Sequence, residues 1–150
     1  MSEPCFQGWR IEDDDSHVKY WPGYGIRASS EESVRMNPRN RFETEALYEK
    51  VQQHIDWYNK VPTPFISVYN DEGRAAQEAN RRVRTGKRNV VAYEIVVHRS
   101  DNVIFRNMVK LFNKVLDEEI PEFVGNNAEN EFIFLHWIPE DCVVGILEFE

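Results

Sequence analysis

A chain of 150 residues, of which 41% are hydrophobic, is long enough to form one domain with a sizeable core. Its net charge of -8 argues against a nucleic-acid-binding protein that relies on diffuse positive charge. No apolar run approaches the roughly 20 residues that span a bilayer, and the start, MSEPCFQGWR, lacks the apolar core of a secretory signal. We therefore expect one soluble domain over 1–150 with no membrane partner. Its oligomeric state, and whether it is cytoplasmic or a secreted effector, are left open.

The first third of the chain predicts a strand, a connection and a helix. Residues 6–11, FQGWRI, are β-prone and place Arg10 between apolar neighbours, so we expect an anionic partner for this arginine. The segment KYWPGYG is expected to be a structured connection before a short return to the sheet at 25–28. Apolar residues at helical spacing predict a helix over 42–59, which the prolines of VPTP would end.

The middle of the chain alternates strands and helices. PFISVYN predicts a buried strand that carries Ser67 and Tyr69, and a helix capped by Asn70 or Asp71 should follow. Residues 89–98, NVVAYEIVVH, predict a strong strand in which Glu94 is expected to approach a basic partner. The apolar pattern of 103–116 predicts an amphipathic helix.

The last segment, NNAENEFIFLHWIPEDCVVG, couples two carboxylates to a strand. Glu129 and Glu131 are one residue apart, so on an extended backbone their side chains would share a face. The run 132–135 predicts a strand buried on both faces, Ile-Pro should interrupt the chain, and a final strand should contain Gly145. These elements predict an α+β domain with about five to seven strands and about three helices.

The cysteines and histidines indicate neither a disulfide scaffold nor a metal site. Cys5 and Cys142 are too few for a disulfide scaffold or a zinc site. Each precedes a predicted strand, so a disulfide is possible if the first and last strands are neighbours. The four histidines are dispersed and make no metal-spaced pair with the cysteines, so we predict no metal site.

Three polar positions on predicted strands, Arg10, Ser67 and the Glu129-Asn130-Glu131 run, occur in a characteristic order. In this order the chain resembles the cholera-toxin-like, Arg-Ser-Glu class of ADP-ribosyltransferases. WRIEDDDS with GYGIRA, FISVYNDEGRAAQEA, VVAYEIVV and ENEFIFLHWIPEDCVVGI are similar to consecutive segments of that class, over roughly 6–148. HIDWYNKVPTPFIS and NEFIFLHWIP also resemble uncharacterised fungal domains.

The resemblance implies two small, mostly antiparallel sheets, flanked by helices, with a central cleft for NAD as co-substrate. It implies that Arg10 and Ser67 contact NAD. Nicotinamide also needs an aromatic face to stack on, and Tyr69, on the same face of its strand as Ser67, is the candidate, with Trp21 and Tyr24 as alternatives. Glu131 would bind the ribose 2'-hydroxyl and stabilise the oxocarbenium-like transition state. Glu129 would position the nucleophile, which in Glu-x-Glu members implies an arginine of a target protein.

Other readings of the same residues stay open. Arg10 can form a structural ion pair, Ser67 and Tyr69 can belong to the core, and the glutamates can be solvated surface. The class commonly has Ser-Thr-Ser where this chain has Ser67-Val68-Tyr69, which alters the support for the glutamate. The alternatives to ADP-ribose transfer are therefore NAD hydrolysis and a non-catalytic effector domain that keeps the fold to bind protein.

Overall fold

A computed structural model describes residues 3–56, 61–121 and 128–150. Its nine strands are β1 (Phe6–Glu12), β2 (Lys19–Trp21), β3 (Gly25–Arg27), β4 (Phe65–Tyr69), β5 (Val90–Val97), β6 (Phe105–Asn107), β7 (Glu131–Leu135), β8 (Trp137–Pro139) and β9 (Val143–Phe149). Its three helices are α1 (Arg41–Ile55), α2 (Glu72–Arg84) and α3 (Met108–Lys110), and α3 continues as a π-helical turn over Leu111–Val115. The described chain is therefore an α+β fold with three helices, as predicted, but with nine strands where about five to seven were expected.

The strands form two antiparallel sheets. The larger has the order β6-β7-β4-β1-β5-β9, and the smaller has the order β2-β3-β8. In the larger sheet β1 pairs with β5 along its whole length, from Phe6↔Val97 to Glu12↔Val91. By contrast, β1 pairs with β4 only at Trp9↔Tyr69. The larger sheet is thus two three-stranded halves that meet at one residue pair.

Different helices cover the two halves. Ala75 and Ala79 of α2 pack with Ile11, Val90 and Ala92 on the β1-β5-β9 half. Their small side chains let the helix approach the sheet closely.

The β4-β7-β6 half lies under α1 and α3. Leu47 and Val51 of α1 pack in one cluster with Phe65 and Ile133 of the sheet and Met108 of α3. On the opposite face the small sheet packs through other apolar residues, which include Ile26 and Ile138. None of the described helices is both long enough and apolar enough to cross a membrane.

Several sequence predictions are confirmed with small shifts of boundary. Asp71 caps α2 by accepting a hydrogen bond from the Arg74 backbone nitrogen at 2.9 Å, and Thr85 follows its last residue. The strand predicted over 89–98 is β5. The helix predicted over 42–59 is α1, whose described part ends at Ile55, and 57–60 lie outside the described residues.

Three predictions are wrong in detail. KYWPGYG is not only a connection, because its first three residues form β2, which pairs as a hairpin with β3, the short strand predicted at 25–28. The Ile-Pro pair does not interrupt the sheet structure: it lies in β8, where Ile138 pairs with Ile26. The helix expected from residue 103 begins at Met108, because residues 105–107 pair with β7 as a strand and Asn107 caps the helix.

Candidate functional site

Arg10 lies where the two halves of the large sheet separate. Pairing between β1 and β4 stops after Trp9, and the Arg10 guanidinium enters the opening, where its Nη1 donates to the Ser67 carbonyl oxygen at 3.2 Å. The residue is only 9% exposed. Its Nε has no hydrogen-bond partner among the described residues. Arg10 forms no direct ion pair with a described carboxylate, although the charges of Glu12 and Asp13 partly raise its pKa. The guanidinium retains an unused donor.

Ser67 is the centre of a hydrogen-bonded chain of four side chains. His54 Nδ1 lies 2.8 Å from Thr63 Oγ1, and His54 Nε2 lies 2.8 Å from Ser67 Oγ. Ser67 Oγ in turn donates to Glu131 Oε2 at 3.2 Å. Three elements and a loop residue supply this chain: α1 carries His54, the adjacent strands β4 and β7 carry Ser67 and Glu131, and Thr63 precedes β4.

The charge state of His54 fixes the direction of these hydrogen bonds. Burial, assisted by the charge of Arg10, lowers the pKa of His54 from 6.5 to about 4, so the ring is neutral near pH 7 and has one N–H. The single Ser67 hydrogen is directed at Glu131, so the Ser67 oxygen accepts from His54 Nε2–H. Nδ1 is then the acceptor for the Thr63 hydroxyl. All three bonds point toward the carboxylate.

The buried surroundings shift the pKa of both charged groups. Burial raises the pKa of Glu131, and the hydrogen bond from Ser67 and the charge of Arg10 partly oppose that rise. Burial and the nearby Arg82 lower the pKa of Arg10 from 12.5 to about 10. Arg10 still carries its charge at pH 7. Arg10, Ser67 and Glu131 therefore bring a fixed cation, a hydroxyl and a desolvated carboxylate together where the two halves of the sheet separate.

Tyr69 lies beside Glu131 in the pairing of β4 with β7. Since facing residues of adjacent strands point to one side, these two side chains share a face of the sheet. Tyr69 also packs against the apolar cluster under α2, and burial raises its pKa. The structure thus brings Tyr69 to the site, in a position that also contributes to the core.

Glu129 is not on the strand with Glu131, and that prediction is wrong. It lies in a 3-10 turn, Ala128–Asn130, and is exposed. Its backbone oxygen accepts a hydrogen bond from Asn107 Nδ2 at 2.8 Å, and the Asn70 backbone nitrogen donates to the Asn130 oxygen at 2.9 Å. These bonds tie the turn to the end of β6 and to the residue after β4, directly before Glu131 at the start of β7.

A recess adjoins the buried cation. It encloses about 180 Å³, and the residues that line it include Arg10, His17, Ser29, His54 and Thr63. Elsewhere in the chain, Cys5 is exposed, Cys142 is buried, and both are free thiols. Among the described residues, no group of three or more His, Cys, Asp or Glu side chains is placed to hold a metal ion.

Sequence reasoning missed His54. Its position in the apolar stripe of the predicted helix indicated a core residue, and its ring does pack edge-on against Phe65 with centroids 5.6 Å apart. The available signal was the short distance along the chain from His54 to the strand that carries Ser67. A histidine in the last turn of a helix that leads back into that strand can reach a side chain on it.

The family model described as a domain of unknown function, DUF7587, matches residues 7–150. The chain belongs to this family. No curated protein has significant similarity to it. In this DUF7587 domain the match covers every strand from β1 to β9 except the first residue of β1, and it includes Arg10, His54, Ser67 and Glu131.

Proposed function

We propose that this site binds NAD, breaks its bond to nicotinamide and transfers ADP-ribose to a side chain of a target protein, with arginine as the expected acceptor. The observation that supports the proposal is that hydrogen bonds group Arg10, Ser67 and Glu131 where β1 and β4 separate. These residues are 57 and 64 positions apart along the chain, yet hydrogen bonds connect the first two and the last two.

The chemistry needs a negative charge near the reacting ribose. When the C–N bond to nicotinamide breaks, its electron pair leaves with the ring, which becomes neutral, and positive charge develops on the ribose. The carboxylate of Glu131 is fixed by Ser67 in partly buried surroundings, where a charge stabilises such a cation more strongly than it does in water. An acceptor nitrogen then forms the new C–N bond and releases a proton.

Arg10 has the unused hydrogen-bonding capacity that an anionic ligand requires. Its Nε has no partner among the described residues, and burial makes its charge costly to maintain. A phosphate or ribose oxygen would accept the free N–H and offset part of that cost. Glu129, exposed and two residues before Glu131, would receive the acceptor's proton.

The hydrogen-bond directions argue against a serine nucleophile. In a serine hydrolase the histidine accepts the serine proton, and a carboxylate orients that histidine. Here His54 donates to Ser67, and its other nitrogen meets the Thr63 hydroxyl. The arrangement suits a serine that positions Glu131.

One observation favours a second candidate, a domain that keeps this fold to bind protein without catalysis. The recess beside Arg10 encloses about 180 Å³, whereas pockets for ligands of drug size usually enclose about 300–1,000 Å³. Such a recess would admit part of a dinucleotide, so the rest of NAD would lie outside it.

The test is nicotinamide release from NAD by the purified protein, with and without an arginine-rich acceptor. Glu131→Gln should lower release at least about 100-fold, since it removes the transition-state charge, while its unfolding midpoint stays at or above that of the parent. Glu129→Gln is the matched control: it should lower acceptor-dependent release and leave hydrolysis of NAD unchanged.

The outcomes separate the candidates. Release that depends on the acceptor supports transfer, and release without it supports NAD hydrolysis. Equal release by the parent and Glu131→Gln would refute the assigned role. If calorimetry detects no binding of NAD to the parent or to Glu131→Gln, protein binding without catalysis would be the function that remains.

A further inference from the structure

The strand β9 forms one edge of the large sheet. It is 7 residues long, pairs with β5 on one side and has no described strand on the other. Between Gly145 and Val143 the pairing with β5 shifts register, which makes Val144 an extra, bulged residue. From Gly145 to Phe149 the ladder is regular, so this part of β9 presents a row of backbone groups that another strand could pair with.

The edge is unusually apolar for a solvent-exposed strand. Ile146 is 57% exposed and Leu147 is 49% exposed. Consecutive residues of a strand point to opposite faces, so apolar side chains flank the free edge on both sides. Natural sheets usually protect such an edge with charge or proline, and here the regular part carries a single charged residue, Glu148.

A carboxylate without a partner lies one strand inside this edge. Glu94 of β5 pairs in register with Gly145, and it forms no hydrogen bond or ion pair with any described residue. The basic partner that the sequence predicted for it is therefore not supplied by the described chain. Its Oε2 lies 3.8 Å from the point where a β-carbon on Gly145 would be, so the carboxylate extends over the glycine toward the edge.

Gly145 leaves the path from the edge to Glu94 open. A groove of about 470 Å³ follows this path, and its lining includes Trp9, Glu72, Glu94, Gly145 and Leu147. Glu72, in the first turn of α2, adds a second negative charge. Trp9 pairs with Glu94 in register and contributes an aromatic wall. A groove with two carboxylates, an indole and an open end suits the side chain of an arginine or lysine.

We infer that β9 receives an extended, basic segment of a partner protein, which adds as a strand to the sheet edge. Its backbone pairs with residues 145–149, and an arginine or lysine opposite Gly145 crosses the glycine to reach Glu94. With strands about 4.8 Å apart, the guest Cα lies roughly 10 Å from the Glu94 Cα, a distance that the two long side chains span together. The neighbouring guest residues point to the other face of the sheet, where apolar side chains would pack against Ile146. This surface does not depend on the proposed chemistry at Glu131.

The test uses a labelled eight-residue peptide that alternates valine with arginine, and a neutral twin in which citrulline replaces each arginine. Fluorescence anisotropy should show binding of the arginine peptide and at least tenfold weaker binding of the twin. Glu94→Gln should weaken binding of the arginine peptide at least tenfold. Glu119→Gln, at an exposed site that is not part of the groove lining, is the matched control for net charge and should change binding less than twofold.

Gly145→Val tests whether a guest side chain must cross residue 145 to reach Glu94. A β-carbon there would meet Glu94 atoms at 3.6 and 3.8 Å, which are ordinary contacts, so the variant should fold with an unchanged unfolding midpoint and lose binding at least tenfold. Hydrogen exchange should show that the arginine peptide protects amides of 145–149.

Four results would overturn the inference. They are equal binding of the two peptides, equal weakening by Glu94→Gln and Glu119→Gln, binding without protection of β9, and no binding of the arginine peptide at 1 mM. A free protein that is already dimeric, with β9 protected and the dimer lost in Gly145→Val, would instead assign the edge to a second copy.

Discussion

Replacing Arg10 by methionine tests whether this arginine stabilises the fold or is kept for binding a ligand. The pKa of Arg10 falls from 12.5 to about 10 on folding, which at 1.36 kcal/mol per pKa unit corresponds to about 3 kcal/mol of unfavourable free energy for the charged form. Methionine of similar length removes that cost. It also removes the hydrogen bond to the Ser67 oxygen, and a bond to a charged group contributes about 1.5–3 kcal/mol. We expect the free energy of unfolding to rise by about 0–1.5 kcal/mol.

Arg82→Met is the matched control and should have the opposite sign. Arg82 pairs with Asp13 at 3.0 Å and with Glu78 at 2.7 Å, and the Asp13 side chain is only 6% exposed. Removal of one partner leaves a buried carboxylate uncompensated, so we expect a loss of roughly 3 kcal/mol. Urea unfolding of both variants, compared at equal m-value, measures the two changes. If Arg10→Met lowers the free energy of unfolding by more than about 2 kcal/mol, Arg10 is a structural residue and its free Nε gives no support to a ligand site.

Three further predictions follow from single residues. The pKa of His54 is about 4 in the folded protein and 6.5 in the unfolded chain, so stability is lost as pH falls from 6.5 toward 4. Between pH 7 and 5 the free energy of unfolding of the parent should fall by about 2 kcal/mol more than that of His54→Gln, as measured by urea unfolding. Gly25→Ala, where a β-carbon would overlap the Ile138 backbone oxygen, should cost more than about 3 kcal/mol. Gly86→Ala should cost only about 1 kcal/mol, because Gly86 has a similar positive φ of 90° but no atom within 4 Å of an added β-carbon. Thermal unfolding of Gly25→Ala and Gly86→Ala measures both costs. Asp71→Ala should lower helicity by circular dichroism and cost about 1 kcal/mol through loss of the α2 cap.

The sequence predicted long, regular elements well and short ones poorly. The pattern of β5 and the cap of α2 are local signals, so both elements were found close to their observed bounds. The strand β8 was missed because it has three residues, and its pairing with β3 closes a distance of more than one hundred residues that no local pattern encodes. The same limit explains β6, where apolar spacing suited a helix and pairing with β7 decided otherwise.

The candidate site could be predicted in part. Arg10, Ser67 and Glu131 were proposed from their order along the chain, and the structure connects them by hydrogen bonds. Glu129 was misplaced because one-residue spacing indicates a shared face only if the backbone is extended, and a 3-10 turn precedes β7. His54 was missed because a hydrogen bond to Ser67 depends on how α1 packs against the sheet, which spacing along one helix does not show.

The late pairing of β1 has a consequence for synthesis on the ribosome. Phe6 pairs with Val97 and Glu12 with Val91, whereas the earlier strand β4 supplies one pair. Translation proceeds at about 5–20 residues per second. The segment FQGWRI is therefore synthesised several seconds before its main pairing partner, β5. During that time its apolar side chains lack the partners that bury them in the native sheet. Because the delay is set by the position of β5 in the chain, no substitution within β1 can shorten it.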